Sequence, residues 1–461
     1  MSLSRRVFLA GGSAWAADWP RFRGVNGTGV SPEKDLPVEF GPEKNLVWRF
    51  DVTGSGHSTP IVAGGRLFLT AAIEKERRLY SLDAATGQLQ WTQTLESLRE
   101  EPKNRINSVA TSTPFCDGKT VYVFFPDFGL AAFGLDGDVK WKTPAGPFAT
   151  MHGMSNSMVV HDGRLFLVAD QLGNSYAAAY SAAGGKLLWK TDRPSGVTGG
   201  YSTPSIYKDT VIVSGALELT AYEQKSGKRV WWVTGVTGAP VTVPLIDGDR
   251  LYVCEPLFDA DQPFEPMLNA FDKNKDGKIQ AAEWPDSGSR AFAERTDRDF
   301  GNKDGELDAA EWKKSFDQIK GAGGLTAVKL GGSGDVTKTH ILWRATKGLP
   351  YLNSPIVYDG VLYHVRPGGI FTSVDRENGK TRKEGRLKDA LGDYYSSPVA
   401  ADGKIFIVNN DGKVVVIKAG AEWDTLAVND LGEPSFVTPA IANGRLYVRT
   451  RKTLWCFGKK A

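Results

Sequence analysis

From residue 46 onward the chain alternates apolar and polar positions in short runs, each closed by a turn such as Gly64-Gly65, Asp117-Gly118 or Asp162-Gly163. Period-two runs bounded by such turns predict antiparallel β-strands. A longer phrase repeats above this pattern: Ser/Thr-Pro, an apolar pair, a tight turn, an alternating strand, then Asp-x-x-x-Gly-x-x-x-Trp. The first copy starts at Ser58-Thr59-Pro60, turns at Gly64-Gly65, continues through Arg66 to Thr70 and Leu79 to Asp83, and passes Thr86-Gly87 to reach Trp91. Further copies begin at Thr113-Pro114, near Ser157-Met158, and at Thr203-Pro204, Val243-Pro244, Ser354-Pro355, Ser397-Pro398 and Thr438-Pro439, eight in all. Apart from one gap they are 40 to 54 residues apart, which suits a four-stranded blade. The fold expected is all-β, an eight-bladed β-propeller of four-stranded antiparallel blades. Trp91, Trp141, Trp189, Trp231 and Trp343 are expected to pack between blades, and the copies at 354 and 397 lack that residue.

The eighth copy ends one strand short, after Arg445 to Arg449 and Thr453 to Phe457. An orphan segment, Leu46-Val47-Trp48-Arg49-Phe50, precedes the first copy and reads as a blade's last strand. Pairing the two would remove both free edges, so ring closure between the chain ends is expected.

The gap lies between Pro244 and Pro355, where 65 to 70 residues are extra. They include Asp272-Lys-Asn274-Lys-Asp276-Gly277-Lys278-Ile279-Gln280-Ala-Ala-Glu283, which matches the EF-hand loop at its defining places. A hard cation takes oxygen ligands, here the side chains of Asp272, Asn274 and Asp276, the Lys278 carbonyl and both oxygens of Glu283. Gly277 allows the bend, Ile279 can pair with a partner loop, and Phe264, Met267, Leu268 and Phe271 are spaced for the entering helix. The partner loop ends well, at Asp304-Gly305-Glu306-Leu307-Asp308 and Glu311, but counting back from Gly305 puts Phe300 in the first ligand place. At least one residue is inserted, and Asp299 or Asp297 must swing in. The second ligand set expected is Asp299, Asn302, Asp304, Glu306 and Glu311. Trp284, Phe292, Trp312, Phe316 and Ile319 predict a small core belonging to the insertion alone, so it is expected to loosen on its own when calcium is removed.

Charge is balanced, with 56 Lys and Arg against 53 Asp and Glu, and no basic run interleaved with aromatics argues for a nucleic-acid partner. Cys116, Cys254 and Cys456 are far apart and flanked by apolar residues, which predicts buried free thiols. Residues 1–16 read as an export signal: Ser4-Arg5-Arg6-Val7-Phe8-Leu9 resembles a twin-arginine leader, and Ala14-Trp15-Ala16 fits cleavage by small residues. A periplasmic or secreted location follows, and no stretch reaches the ~18 apolar residues of a membrane span. The chain thus divides into a signal peptide (1–16), a leader (17–45) whose loss through Asn26 should leave the ring intact, a first propeller part with the closing strand (46–255), the EF-hand insertion (256–323) and the remaining propeller (324–461).

The repeats, with the leader Trp19-Pro20-Arg21-Phe22-Arg23-Gly24-Val25-Asn26-Gly27-Thr28-Gly29-Val30, resemble the pyrroloquinoline-quinone-like propeller proteins of bacteria over nearly all the mature chain. That resemblance implies the fold, and its members include quinoprotein alcohol dehydrogenases and non-enzymatic scaffolds of outer-membrane barrel assembly. No two cysteines here are neighbours, unlike the disulfide beside the cofactor in the dehydrogenases, and Ala16-Ala17 stands where the scaffold's lipid-bearing cysteine would be. If a small molecule binds, the loops feeding each innermost strand should hold it: His57, Arg105 with Asn107, His152 with Asn156, Tyr201, Tyr351 with Asn353, and Tyr394 with Tyr395. No nucleophile with a paired base, phosphate loop or zinc spacing is present. The expectation is an exported calcium-binding propeller that acts as a binding or protein-interaction module. A quinone-dependent dehydrogenase or sugar-active enzyme at the channel mouth is the alternative. Calcium is the expected cofactor and pyrroloquinoline quinone is not expected; the partner is a protein or a small molecule, carbohydrate included.

Overall fold

The computed structural model describes residues 18–101, 106–150, 152–194, 199–257, 262–285 and 287–459. Eight antiparallel blades follow one another around an axis. Blade 1 comprises Ile61–Ala63, Arg66–Ile73, Glu76–Asp83 and Leu89–Glu96, numbered from the axis outward. The others span 115–144, 159–192, 205–234, 245–345, 356–386, 399–430 and, for blade 8, 440–457. Blade 4 gains a fifth strand, Gly334–Asp335, which runs parallel to Trp231 and Trp232 and covers that outer edge.

Blade 8 draws its outer strand from the other end of the chain. Leu46–Asp51 pairs antiparallel with Thr453–Phe457, setting Trp48 opposite Cys456 and Phe50 opposite Leu454. The Arg449 guanidinium, wholly buried, then donates to Ser58 O and Thr70 O of blade 1 at 3.1 and 2.9 Å and so ties the last blade to the first.

The Asp-x-x-x-Gly-x-x-x-Trp phrase has one physical meaning repeated around the ring. Five outer-strand tryptophans lie on the turn glycine of the next blade and donate the indole N–H to a carbonyl there: Trp48 to Ala84, Trp91 to Leu135, Trp141 to Ala182, Trp189 to Gln224 and Trp343 to Arg376. Trp231 of blade 4 departs from this and lies buried in the strand that pairs with Gly334–Asp335. A Cβ on Gly87 would stand 2.5 Å from the Trp48 ring, and the residue also holds φ +74°, so both space and backbone demand glycine. Blade 6, which lacks the tryptophan, uses the reverse arrangement: Trp423 from the blade 7 turn receives the Lys383 ammonium 4.8 Å from its ring centroid.

The leader is part of the fold. Trp19 exchanges two backbone bonds with Val62 of blade 1, and Pro20 O accepts from Cys116 N of blade 2. Arg21 and Arg23 reach Pro204 O and Pro355 O, each at 2.8 Å, on the entries to blades 4 and 6. Gly29 and Ser31 bracket Ala400 of blade 7, and Glu33 caps the blade 8 turn at Asn443 and Gly444. Removal through Asn26 would leave the closing strand in place but break ties to blades 1, 2, 4 and 6, so the leader is more than a passive segment before that strand.

The insertion consists of α1 (Glu265–Phe271), α2 (Ser287–Phe300) and α3 (Ala309–Asp317), with a two-residue ladder that sets Ile279 opposite Leu307. Asp308 and Glu311 form a reciprocal capping box at the start of α3. Its apolar cluster joins Phe264, Trp284, Phe292, Trp312 and Phe316 to Leu172 of blade 3, with Ala149 and Leu217 packed alongside. The core expected to be private is shared with the propeller.

Candidate functional site

The residue that opens each repeat lines the axis. Backbone N–H groups of Thr59, Thr113 and Ser157 donate to the hydroxyls of Thr113, Ser157 and Thr203 one blade on, at 2.9–3.0 Å. Val243, Ser354 and Ser397 donate in the same way to Ser354, Ser397 and Thr438. Thr59 Oγ1 closes the circle onto Thr438 O at 3.2 Å, and the belt is interrupted at Val243, which has no hydroxyl and packs against Gly27 of the leader. This belt explains the Ser/Thr-Pro signature: the side chain couples neighbouring blades, and proline brings no N–H that would need a partner.

Two residues upstream of each belt position the chain again faces the axis, because side chains alternate along extended backbone. These positions are His57, Thr111, Ser155, Tyr201, Val241, Leu352, Tyr395 and Phe436, and all eight line a funnel of about 260 Å³ above the belt. Phe22 of the leader lines the same funnel, and because Arg21 and Arg23 on either side of it hold Pro204 O and Pro355 O, one residue past the belt, the leader crosses the axis at the belt end of the funnel. Four consecutive blades make one wall aromatic: ring centroids are 6.4 Å apart for Tyr351 and Tyr395, 5.3 Å for Tyr395 and Phe436, and 5.3 Å for Phe436 and His57. The facing wall has Thr111, Ser155 and Asn107, whose amide holds His152 O and Gly153 O at 2.8 and 3.0 Å, while His152 lies 6.0 Å from the Tyr201 ring.

Of the residues expected at the mouth, His57, Asn107, His152, Tyr201, Tyr351 and Tyr395 line it. Asn156, Asn353 and Tyr394 do not, because alternation turns them into the blades. Asn156 and Asn353 are buried and donate to Val168 O and Tyr394 O, and the Tyr394 hydroxyl donates to Ala390 O at 2.5 Å. Arg105 lies outside the described residues. Phe22, Phe436 and the belt hydroxyls were missed; the recurrence of Ser/Thr-Pro was the available signal for the belt.

Burial dominates the electrostatics. Arg21 and Arg23 sit wholly buried with carbonyl partners, and desolvation pulls each down to about 9. His57 falls to about 4, first through burial and then through Arg449 and Arg451, so its ring is neutral at pH 7. Glu255, at the root of the insertion, is raised to about 8 by burial despite accepting from Val241 N and Thr242 Oγ1. Among the described residues lining the funnel there is no Asp, Glu, Lys or Arg. A calcium-bound quinone with three carboxylates needs metal ligands, cations and a carboxylate base, so this lining does not fit pyrroloquinoline quinone.

The insertion carries the second cluster of oxygen donors. In the first loop Asp272 accepts from Lys275 N and Gly277 N at 2.6 and 3.0 Å, and Glu283 from Lys273 N and Gln280 N at 2.8 and 2.9 Å. Asn274 and Asp276 accept from Asp276 N and Lys278 N, and the Lys278 ammonium crosses to Asp304 and Glu306. In the second loop the residue acting as Asp272 does is Asp297, which accepts from Gly305 N at 2.8 Å, while Glu311 accepts from Asn302 N at 3.0 Å and Asn302 from Asp304 N at 2.8 Å. Oxygens of Asp297, Asp304 and Glu311 lie within 4.8 Å of one another. Asp299, expected in that set, instead pairs with the Arg298 side chain at 2.8 Å, because α2 continues through Phe300 and carries it to the surface.

Comparison with known proteins agrees with the architecture. A family model described as outer membrane protein assembly factor BamB matches residues 38–172 and 173–461. No curated protein sequence matches. Similar solved structures include BamB from Moraxella catarrhalis, at 10% identity and TM-score 0.56, covering 90% of this chain and 99% of that one. The quinohemoprotein alcohol dehydrogenase from Comamonas testosteroni has 12% identity and TM-score 0.59, covering 97% and 82%. A europium-containing methanol dehydrogenase has 11% identity and TM-score 0.61, covering 96% and 98%. At these identities the structures speak for the fold alone.

Proposed function

This chain belongs to the outer membrane protein assembly factor BamB family, and from that premise we propose that it is an exported, calcium-binding propeller that works as a protein-interaction module. The observation that carries the reading is the insertion. Two loops joined back to back through Ile279 and Leu307 each turn an aspartate and a glutamate inward onto backbone N–H groups, beside the funnel rim of blades 3 and 4. In the first loop Asp272, Asn274, Asp276, the Lys278 carbonyl and Glu283 would hold calcium; in the second, Asp297, Asn302, Asp304, the Glu306 carbonyl and Glu311. Such a cation neutralises carboxylates that otherwise repel one another and stiffens the surface a partner meets. Among the described residues lining the funnel there is no carboxylate to bind a metal or act as the base of a quinone enzyme, which favours binding over dehydrogenation.

Calorimetry of the mature chain tests the metal reading: Glu283→Ala should abolish the tightest calcium site, and unchanged binding would sink the assignment. The interaction reading predicts that an unfolded outer-membrane β-barrel protein binds the calcium-loaded chain more tightly than the chelated one. Soaking with pyrroloquinoline quinone and calcium should leave no quinone absorbance on the protein.

A further inference from the structure

We propose that the axial funnel is a carbohydrate site, taking one sugar ring and part of a second against the aromatic arc of blades 6, 7, 8 and 1, with its oxygens turned to the hydroxyl belt. This deepens the binding-module reading and does not depend on calcium.

The belt supplies the first reason. The hydroxyls of Thr113, Ser157, Thr203, Ser354, Ser397 and Thr438 each accept a backbone N–H from the neighbouring blade. Among the described residues, none of the six gives its own proton to a protein acceptor, so their O–H groups are free to donate into the funnel they line. A ring of donors calls for a ligand bearing several acceptor oxygens. Arg21 and Arg23, which flank Phe22 in the chain, have carbonyls and, among the described residues, no carboxylate as hydrogen-bond partners, so their charge is unneutralised at the belt end and favours oxygen lone pairs in the funnel.

The walls supply the second. Tyr395, Phe436 and His57 form a continuous ring-to-ring surface, and Thr111, Ser155 and Asn107 face it with polar groups. A pyranose has this same division, a C–H face that lies on aromatic rings and an equator of hydroxyls. A purely apolar ligand would strip water from the belt and leave its donors unpaired. A phosphate or an ammonium group would enter a funnel whose described lining has no charged side chain to meet it. The cavity of about 260 Å³ lies just below the usual range of ligand pockets, about 300–1,000 Å³, which limits the occupant to a short saccharide or the end of a glycan.

The test is calorimetry of the mature, calcium-saturated chain with cellobiose, N,N′-diacetylchitobiose, maltose and digalacturonate. At least one should bind saturably, and Tyr395→Ala and Phe436→Ala should each weaken it about tenfold. Tyr351→Ala, on a ring that is half exposed, and Thr111→Val should weaken it less and keep the wild-type melt, which preserves the test if Phe436→Ala disturbs folding. Digalacturonate binding more tightly than the neutral sugars would assign the preference to the field of Arg21 and Arg23. The inference is overturned if none of the four saccharides binds, or if binding survives loss of both Tyr395 and Phe436. Calcium binding that persists without any saccharide binding would overturn it while leaving the interaction module standing.

Discussion

The ring and the insertion are held together by opposite means. Most blades are fastened to the next by repeated devices, an indole on a glycine and a hydroxyl on a backbone N–H in a belt around the axis, and the chain ends complete the circle. The described residues of the insertion form three helices and one two-residue ladder, and they complete their core with Leu172, Ala149 and Leu217 from blades 3 and 4. Redundant, closed contacts make the ring cooperative. Borrowed contacts make the insertion dependent on the propeller, and make the blade 3 and 4 loops dependent on it in turn.

The largest expected effect comes from opening the ring. Truncation through Phe50 removes the outer strand of blade 8 and the Trp48 indole from Gly87, and should abolish the cooperative melt. Truncation through Asn26 should lower the melting temperature substantially without opening the ring, and equal melts for the two would show that closure is not the dominant contact. Next comes the interblade joint: Gly87→Val puts a branched side chain into the Trp48 ring at positive φ and should cost about 3 kcal/mol, read by denaturant unfolding.

The insertion sharpens the contrast. Leu172→Ala, in the shared cluster, should cost about 2–3 kcal/mol, with the loss of amide protection concentrated in α2, α3 and residues 171–174. Chelation should deprotect the same residues; protection lost only within 272–311 would mean the two cores are separate after all. In the second loop, Asp297→Ala should weaken calcium binding about tenfold or more while Asp299→Ala leaves it unchanged, and the reverse result in calorimetry would return Asp299 to the ligand set.

The last test is a pH slope. Burial raises Glu255 to about 8, so between its ordinary value near 4.5 and 8 the folded chain keeps a proton that the unfolded chain has lost. Stability should therefore decline as pH rises through that window, and Glu255→Gln should remove this component. His57 acts at the other end: its fall to about 4 means stability is lost as pH drops from about 6.5 toward 4, a component absent in His57→Phe.

Much of this was legible because it is local chemistry repeated. Asp-x-x-x-Gly-x-x-x-Trp places a glycine and an indole at fixed separation, and eight copies with an orphan strand left ring closure as the pairing that satisfies every edge. Six of the ten mouth residues were found because turns before inner strands reach the axis, whereas Asn156, Asn353 and Tyr394 were misplaced by neglecting the period of two that sends adjacent side chains to opposite faces. Asp297 could not be separated from Asp299 by counting, since only the length of α2 decides where the loop begins.

The sequence by itself determined the blade count, the place of the insertion and its two acidic loops, because each is written in a phrase within one repeat length, and the closing strand, because counting strands per repeat leaves one over at one chain end and one short at the other. Only the tertiary structure decided that the leader crosses the axis at the belt end of the funnel, that belt hydroxyls converge on one axis, and that the insertion shares its core with blades 3 and 4. Those contacts join residues as far apart as Arg23 and Pro355, which no local pattern relates. They follow from the circular arrangement, which brings one position of every repeat to the same point in space.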